Sequence, residues 1–122
     1  GDAAEGFIMV TNLNRDDKRK SVQEFLTVYR NRCKIEPDMV GASAYDAFML
    51  LANAIKVAKT TDGAAVAKAL SNTKNYDGLT GLIKGFTAEG EVVKPVQIQK
   101  VKDGKFHYYG VVKDIKLITP SR

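Results

Sequence analysis

A chain of 122 residues is the length of one domain and buries about two-thirds of its unfolded surface, enough for an apolar core. With 44% apolar residues, 27% charged residues and only three prolines, it has the composition of a folded chain and not of a disordered one. The 19 basic residues outnumber the 14 acidic ones for a formal charge of +5, but the lysines are spread singly and Arg15-Asp16-Asp17-Lys18-Arg19-Lys20 mixes both signs, so a solvated surface is expected and a nucleic-acid partner is not.

Gly6-Phe7-Ile8-Met9-Val10-Thr11 is a continuous apolar run rich in β-branched and aromatic residues, which predicts a parallel-sheet strand buried on both faces. Asn12-Leu13-Asn14 ends it, and Asp16 or Asp17 is expected to cap the helix that follows. In that helix Val22, Phe25, Leu26, Tyr29 and Cys33 fall on one stripe, so the only cysteine is expected to be a small buried hydrophobe. A lone cysteine also excludes an internal disulfide and a thiolate metal cluster.

Glu36-Pro37-Asp38 breaks the helix, because proline restricts the residue before it and pre-sets its own φ for a new start. From Gly41 to Lys59 the sequence is nearly all apolar, with Asp46, Asn53 and Lys56 on one narrow polar strip. This predicts a helix enclosed on most sides, and Asp46 satisfied locally or along that strip. Thr60-Thr61-Asp62 caps a third helix with Val66, Ala67 and Leu70 facing inward. Thr80 to Phe86 reads as one extended strand, with Asp77-Gly78-Leu79-Thr80-Gly81 as the turn before it and Ala88-Glu89-Gly90-Glu91 as the turn after. Two hairpin strands then flank Lys102-Asp103-Gly104, with Val96, Ile98 and Val101 as the apolar positions of the first.

No residue set announces a reaction. His107 is the only histidine and lies in a strand pattern beside Tyr108 and Tyr109, which predicts a sheet-face residue. There is no paired histidine for zinc, no nucleophile elbow, no phosphate loop and no identifiable carboxylate pair. Gly78, Gly81 and Gly85 are spaced for turns, not for a dinucleotide. No catalytic residue, metal site or cofactor is expected. No apolar run reaches membrane-spanning length, and an export signal is expected to lie upstream.

The order of the motifs carries more. Gly1-Asp2-Ala3-Ala4-Glu5-Gly6 leads into the first strand, Phe25-Leu26-Thr27-Val28-Tyr29-Arg30 lies in the first helix, and Pro37-Asp38 breaks it. Tyr45-Asp46-Ala47 then opens the apolar helix, and the Asp77–Gly81 turn and the basic hairpin follow. This series resembles the C-terminal region of the type I periplasmic binding proteins of the branched-chain amino acid transport family. The resemblance implies an α/β fold, the C-terminal part of a two-lobed protein with a parallel sheet, flanking helices and a C-terminal hairpin. Residues 1–14 and 95–122 would belong to the second lobe and 15–94, with three helices, to the first. The chain would then cross a hinge at Asn14 and again at Lys94 and Pro95.

The same resemblance implies a solute-binding component of an ABC importer that closes around a small organic solute such as an amino acid, an amide or an aromatic acid. Its partners would be that solute and the transporter permease subunits, and its location periplasmic or extracellular, with a lipid anchor compatible. Val40 stands five positions before Tyr45, where many relatives carry an aromatic residue against the solute. Val40 and Met39 are therefore the first candidates for ligand contact, with Asn12 and Leu13 at the crossover next. The apolar excess of the second helix implies a face covered by further sequence or by a homo-oligomer. The rival readings are the same fold serving as a sensor domain, and an independent basic interaction domain.

Overall fold

The computed structural model describes residues 2–120. A short 3-10 turn leads into strand β1 (Ile8–Thr11), and helices α1 (Lys20–Cys33), α2 (Met39–Ala58) and α3 (Gly63–Ser71) follow. Two small hairpins come next, β2 (Tyr76–Gly78) with β3 (Gly81–Ile83) and β4 (Gly85–Phe86) with β5 (Val92–Val93). The long hairpin of β6 (Val96–Lys102) and β7 (Lys105–Val112) precedes a single-turn helix α4 (Ile115–Ile118). The α/β class read from the sequence is the class observed.

The strand pairing differs from expectation. Strands β1, β6 and β7 form one sheet in that order, and every pairing among the described residues is antiparallel. β1 is an edge strand, so Phe7 is 60% and Val10 64% exposed where burial on both faces was expected. The apolar run measured what the strand can bury, but the described residues do not cover it. The predicted strand from Thr80 to Phe86 is also divided: Lys84 separates β3 from β4, and each pairs in its own hairpin.

The β6–β7 turn follows the sequence signal. Asp103 and Gly104 have φ of 51° and 70°, the left-handed pair that matches a two-residue hairpin to strand twist. A bulge between Ile98 and Gln99 shifts the register, which turns Gln99 inward with Val101 and leaves Val96 and Ile98 half-buried. Simple alternation cannot foresee that shift.

The core is a cluster of Leu13, Val22, Leu26, Ala42 and Leu79, with Phe25 packed against it. Val22 and Leu26 are the buried pair of α1, while Phe25 and Tyr29 are half-buried. Cys33, expected inside, is exposed. It occupies the last helical position before Lys34 turns left-handed at φ 59°, so the stripe runs past the end of the core. The cap differs as well: Arg19 is the residue before α1 and makes no side-chain cap, while Asp17 instead accepts from the Arg19 backbone N–H at 2.9 Å. Asp38 and Asp62 cap α2 and α3 through bonds from Gly41 N at 2.8 Å and Ala65 N at 2.9 Å.

Helix α2 buries Ala42, Asp46, Leu50 and Ala54, one residue per turn. Tyr45, Phe48, Met49, Leu51 and Val57 are exposed, so among the described residues the helix is covered on one stripe and not on most sides. Asp46 points into the core side, apart from exposed Lys56, and the predicted polar strip does not form. In α3 Val66 is buried and Leu70 half-buried, whereas Ala67 is exposed.

Candidate functional site

The end of β1 is tied to the start of α2 by a short relay. Asn12 Nδ2 donates to Ser43 Oγ at 2.7 Å, and Ser43 Oγ donates to the Met39 carbonyl at 2.8 Å. The relay brings Asn12 and Met39 together at the positive end of α2. Val40 beside them is 67% exposed and Met39 is 43% exposed, so both present apolar surface there. Asn12 Oδ1 is buried without a hydrogen-bond partner, an acceptor left open at the same place. Leu13 is placed apart from these three: at 0% exposure it packs in the core.

Asn14, Lys94 and Pro95 lie in connecting segments, Asn14 between β1 and α1 and the other two between β5 and β6. Asn14 forms a turn, its Oδ1 accepting from Asp16 N at 3.0 Å and its carbonyl from Asp17 N at 3.3 Å. Pro95 is buried, and together with Asn14 it lines one cleft of about 660 Å³. Lys94 is half-buried, and its Nζ donates to Thr80 Oγ1 at 2.6 Å. Burial pushes the Lys94 ammonium below the usual lysine pKa, and the Asp46 carboxylate opposes that shift.

That carboxylate was undervalued in the sequence. Asp46 is 4% exposed and accepts from Leu79 N at 2.6 Å, Thr80 N at 2.9 Å and Thr80 Oγ1 at 2.6 Å. Its partners lie on the β2–β3 turn, so no local bond or helical spacing could have identified them. Gly78 permits the approach, because a Cβ there would stand 2.9 Å from Asp46 Oδ2. The Asp77–Gly81 signal was read as a turn, which it is, but the turn is also a cradle for a buried carboxylate.

Two arginines of the mixed-charge run were likewise missed as structural clasps. Arg15 donates to Gln99 Oε1 at 3.2 Å and to the Pro37 carbonyl at 2.7 Å, and its guanidinium lies 5.5 Å from the Phe106 ring centroid. Arg19 donates to Asp77 at 2.7 Å and to the carbonyls of Gly78 and Leu79 at 3.0 and 3.1 Å. Asp16 accepts from Tyr108 N at 2.6 Å and lies 3.7 Å from His107 Nδ1. The sequence signal for these contacts is only the presence of charged residues beside the Asn14 turn. Elsewhere Glu36 is held below the usual carboxylate range, chiefly by its hydrogen bonds from Arg30.

Among the described residues no group of three or more His, Cys, Asp or Glu side chains is placed to hold a metal ion. Among the described residues no helix is long and apolar enough to cross a membrane. His107 is exposed on β7, the sheet-face position its neighbours indicated.

Residues 1–105 match the family model described as periplasmic binding protein. Among solved structures the chain is similar to a leucine-binding protein of Thermotoga maritima, with 28% identity over 95% of this chain and a TM-score of 0.78. It is also similar to an ABC transporter substrate-binding protein of Desulfitobacterium hafniense solved in complex with Leu, with 29% identity over 87% of this chain and a TM-score of 0.77. A solute-binding protein of Rhodopseudomonas palustris, in complex with 3,4-dihydroxybenzoic acid, shares the fold at 23% identity, covering 92% of this chain with a TM-score of 0.79. The chain spans only about a third of these structures: 33%, 32% and 32% of their lengths. Among curated proteins, none matches the sequence.

Proposed function

This chain belongs to the periplasmic binding protein family, and on that premise we propose that it serves in the solute-binding receptor of an ABC importer, taking a small organic solute in a cleft between two lobes. The family match over residues 1–105 is the observation that carries the reading. The solute is an amino acid or a related amide or aromatic acid; relatives crystallised with Leu and with 3,4-dihydroxybenzoic acid support that range. Residues 15–94 contribute to one lobe and residues 1–14 and 95–122 to the other. Asn14, Lys94 and Pro95 are the hinge positions, and the shared cleft of Asn14 and Pro95 supports this division.

Val40 and Met39 form an apolar wall for the solute, and Asn12 is tied to the base of that wall through Ser43. Leu13, buried beneath, fixes Asn12 in register with the start of α2. Binding closes the lobes because the closed form makes contacts to the solute that the open form cannot, and the permease subunits distinguish the two forms. Such a receptor works in the periplasm or at the outer surface.

A thermal-shift and calorimetric panel of amino acids, amides and aromatic acids on the full-length protein tests this. At a hundredfold excess over its dissociation constant, one class is expected to stabilise the protein by about 3 kcal/mol. A panel without any stabilising member contradicts the proposal.

A further inference from the structure

The positive charge of the chain is concentrated near its end. Residues 95–122 hold six of the 19 basic residues but only two of the 14 acidic ones, a formal +4 of the chain's +5. Lysines that stand singly in the sequence are gathered by the register of the long hairpin. Lys102 lies opposite Lys105 and Lys100 opposite His107, and directly opposed residues of an antiparallel pair share a face. Gln99 and Val101 turn inward between them, so Lys100 and Lys102 point to the other, open side. Lys100 Nζ stands 5.9 Å from the centroid of the Tyr109 ring, which places that exposed ring on the same side. Strand β1 extends the face with aliphatic surface: Ile8 pairs with Lys100 and Val10 with Ile98, and Ile8 and Val10 are both exposed. Little acid offsets the lysines. Asp103 is the only acidic residue from 97 to 112, and Asp16 faces His107 at 3.7 Å, while Lys102 and Lys105 form no ion pair among the described residues.

We propose that this sheet face, made by Ile8, Val10, Lys100, Lys102, Lys105 and Tyr109, docks on the surface of an anionic phospholipid bilayer. The ammonium groups meet the headgroup phosphates. The Tyr109 ring and the two aliphatic side chains rest at the boundary between headgroups and acyl chains, where an amphipathic ring and apolar surface are both favoured. A nucleic acid would use the same charges, but it gains little from branched aliphatic side chains, and Lys100 already stands over the ring on which a base would stack. The aliphatic surface therefore selects lipid among anionic partners. Neither Met39 nor Val40 belongs to this face, so the inference stands apart from the solute reading.

The test is co-sedimentation of the full-length protein, prepared without acylation, with vesicles of equal parts phosphatidylglycerol and phosphatidylcholine, and with vesicles of phosphatidylcholine alone. Binding is expected to the first and not to the second. Raising the salt from about 0.1 M to 1 M shortens the screening length from about 10 Å to about 3 Å and is expected to release the protein. Each lysine near an anionic surface contributes about fivefold, so the Lys100→Gln, Lys102→Gln, Lys105→Gln variant is expected to bind about a hundredfold more weakly. All three lysines are exposed, and an unchanged thermal midpoint checks that the variant keeps the fold. Tyr109→Ser is expected to weaken vesicle binding and leave its salt dependence as it was. Equal binding to phosphatidylcholine alone, undiminished binding by the triple variant, tighter binding to a single-stranded DNA oligonucleotide than to the anionic vesicles, or no vesicle binding at all would each overturn the proposal.

Discussion

Removing the Asp46 carboxylate strands more than one partner. Its three hydrogen bonds come from two backbone N–H groups and a hydroxyl, and Thr80 Oγ1 in turn accepts from Lys94. Asp46→Ala leaves buried donors without acceptors and a half-buried ammonium without its nearby negative charge, so a loss of about 3 kcal/mol is expected. Asp46→Asn keeps the shape and one carbonyl acceptor and is expected to lose less. Chemical denaturation of the three proteins checks the order; equal midpoints for wild type and Asp46→Ala would show that the cradle contributes nothing to stability. The sequence did show Tyr45-Asp46-Ala47 as a marked group, but not its purpose. A carboxylate inside an apolar helix has a readable identity, whereas its partners lie 33 and 34 residues away and are set by tertiary packing.

At the scale of elements, local chemistry was legible and cover was not. The helix break at Pro37, the cap at Asp62 and the turn at Asp103-Gly104 follow from short-range rules and occur where those rules place them, whereas the cap expected at Asp16 or Asp17 does not form. Burial depends on neighbours, and so Cys33, the apolar run of β1 and most of α2 were read as more enclosed than they are. The Ile98–Gln99 bulge shows the same limit within one strand, since a one-residue shift reverses which side faces inward. Gly104 supplies a clean test of the local rule. Its φ is 70° and an added Cβ would meet nothing within 4 Å, so Gly104→Ala costs only backbone strain, about 1 kcal/mol. Gly63, equally open but without a left-handed φ at the start of α3, is the control: Gly63→Ala is expected to be neutral or slightly stabilising. Comparable losses in the two variants, measured by denaturant midpoint, would contradict the turn assignment.

For the whole molecule, the family was legible because its motifs keep their order along the chain, and that order survives where individual residues vary. The candidate site was only half legible. Asn12 and Met39 are joined through Ser43 and Val40 is exposed next to Met39 in sequence, but Leu13 lies in the core, and the arginine clasps had no distinct sequence signal. Relative motion of residues 15–94 against 95–122 is the central claim. It is tested most directly by distance measurement between spin labels at Lys56→Cys and Lys102→Cys in a full-length Cys33→Ser background; Lys56, Lys102 and Cys33 are all exposed. Addition of a stabilising solute from the panel is expected to move the main distance by several ångströms and narrow its distribution. An unchanged distribution with the solute bound would contradict a hinge between these segments.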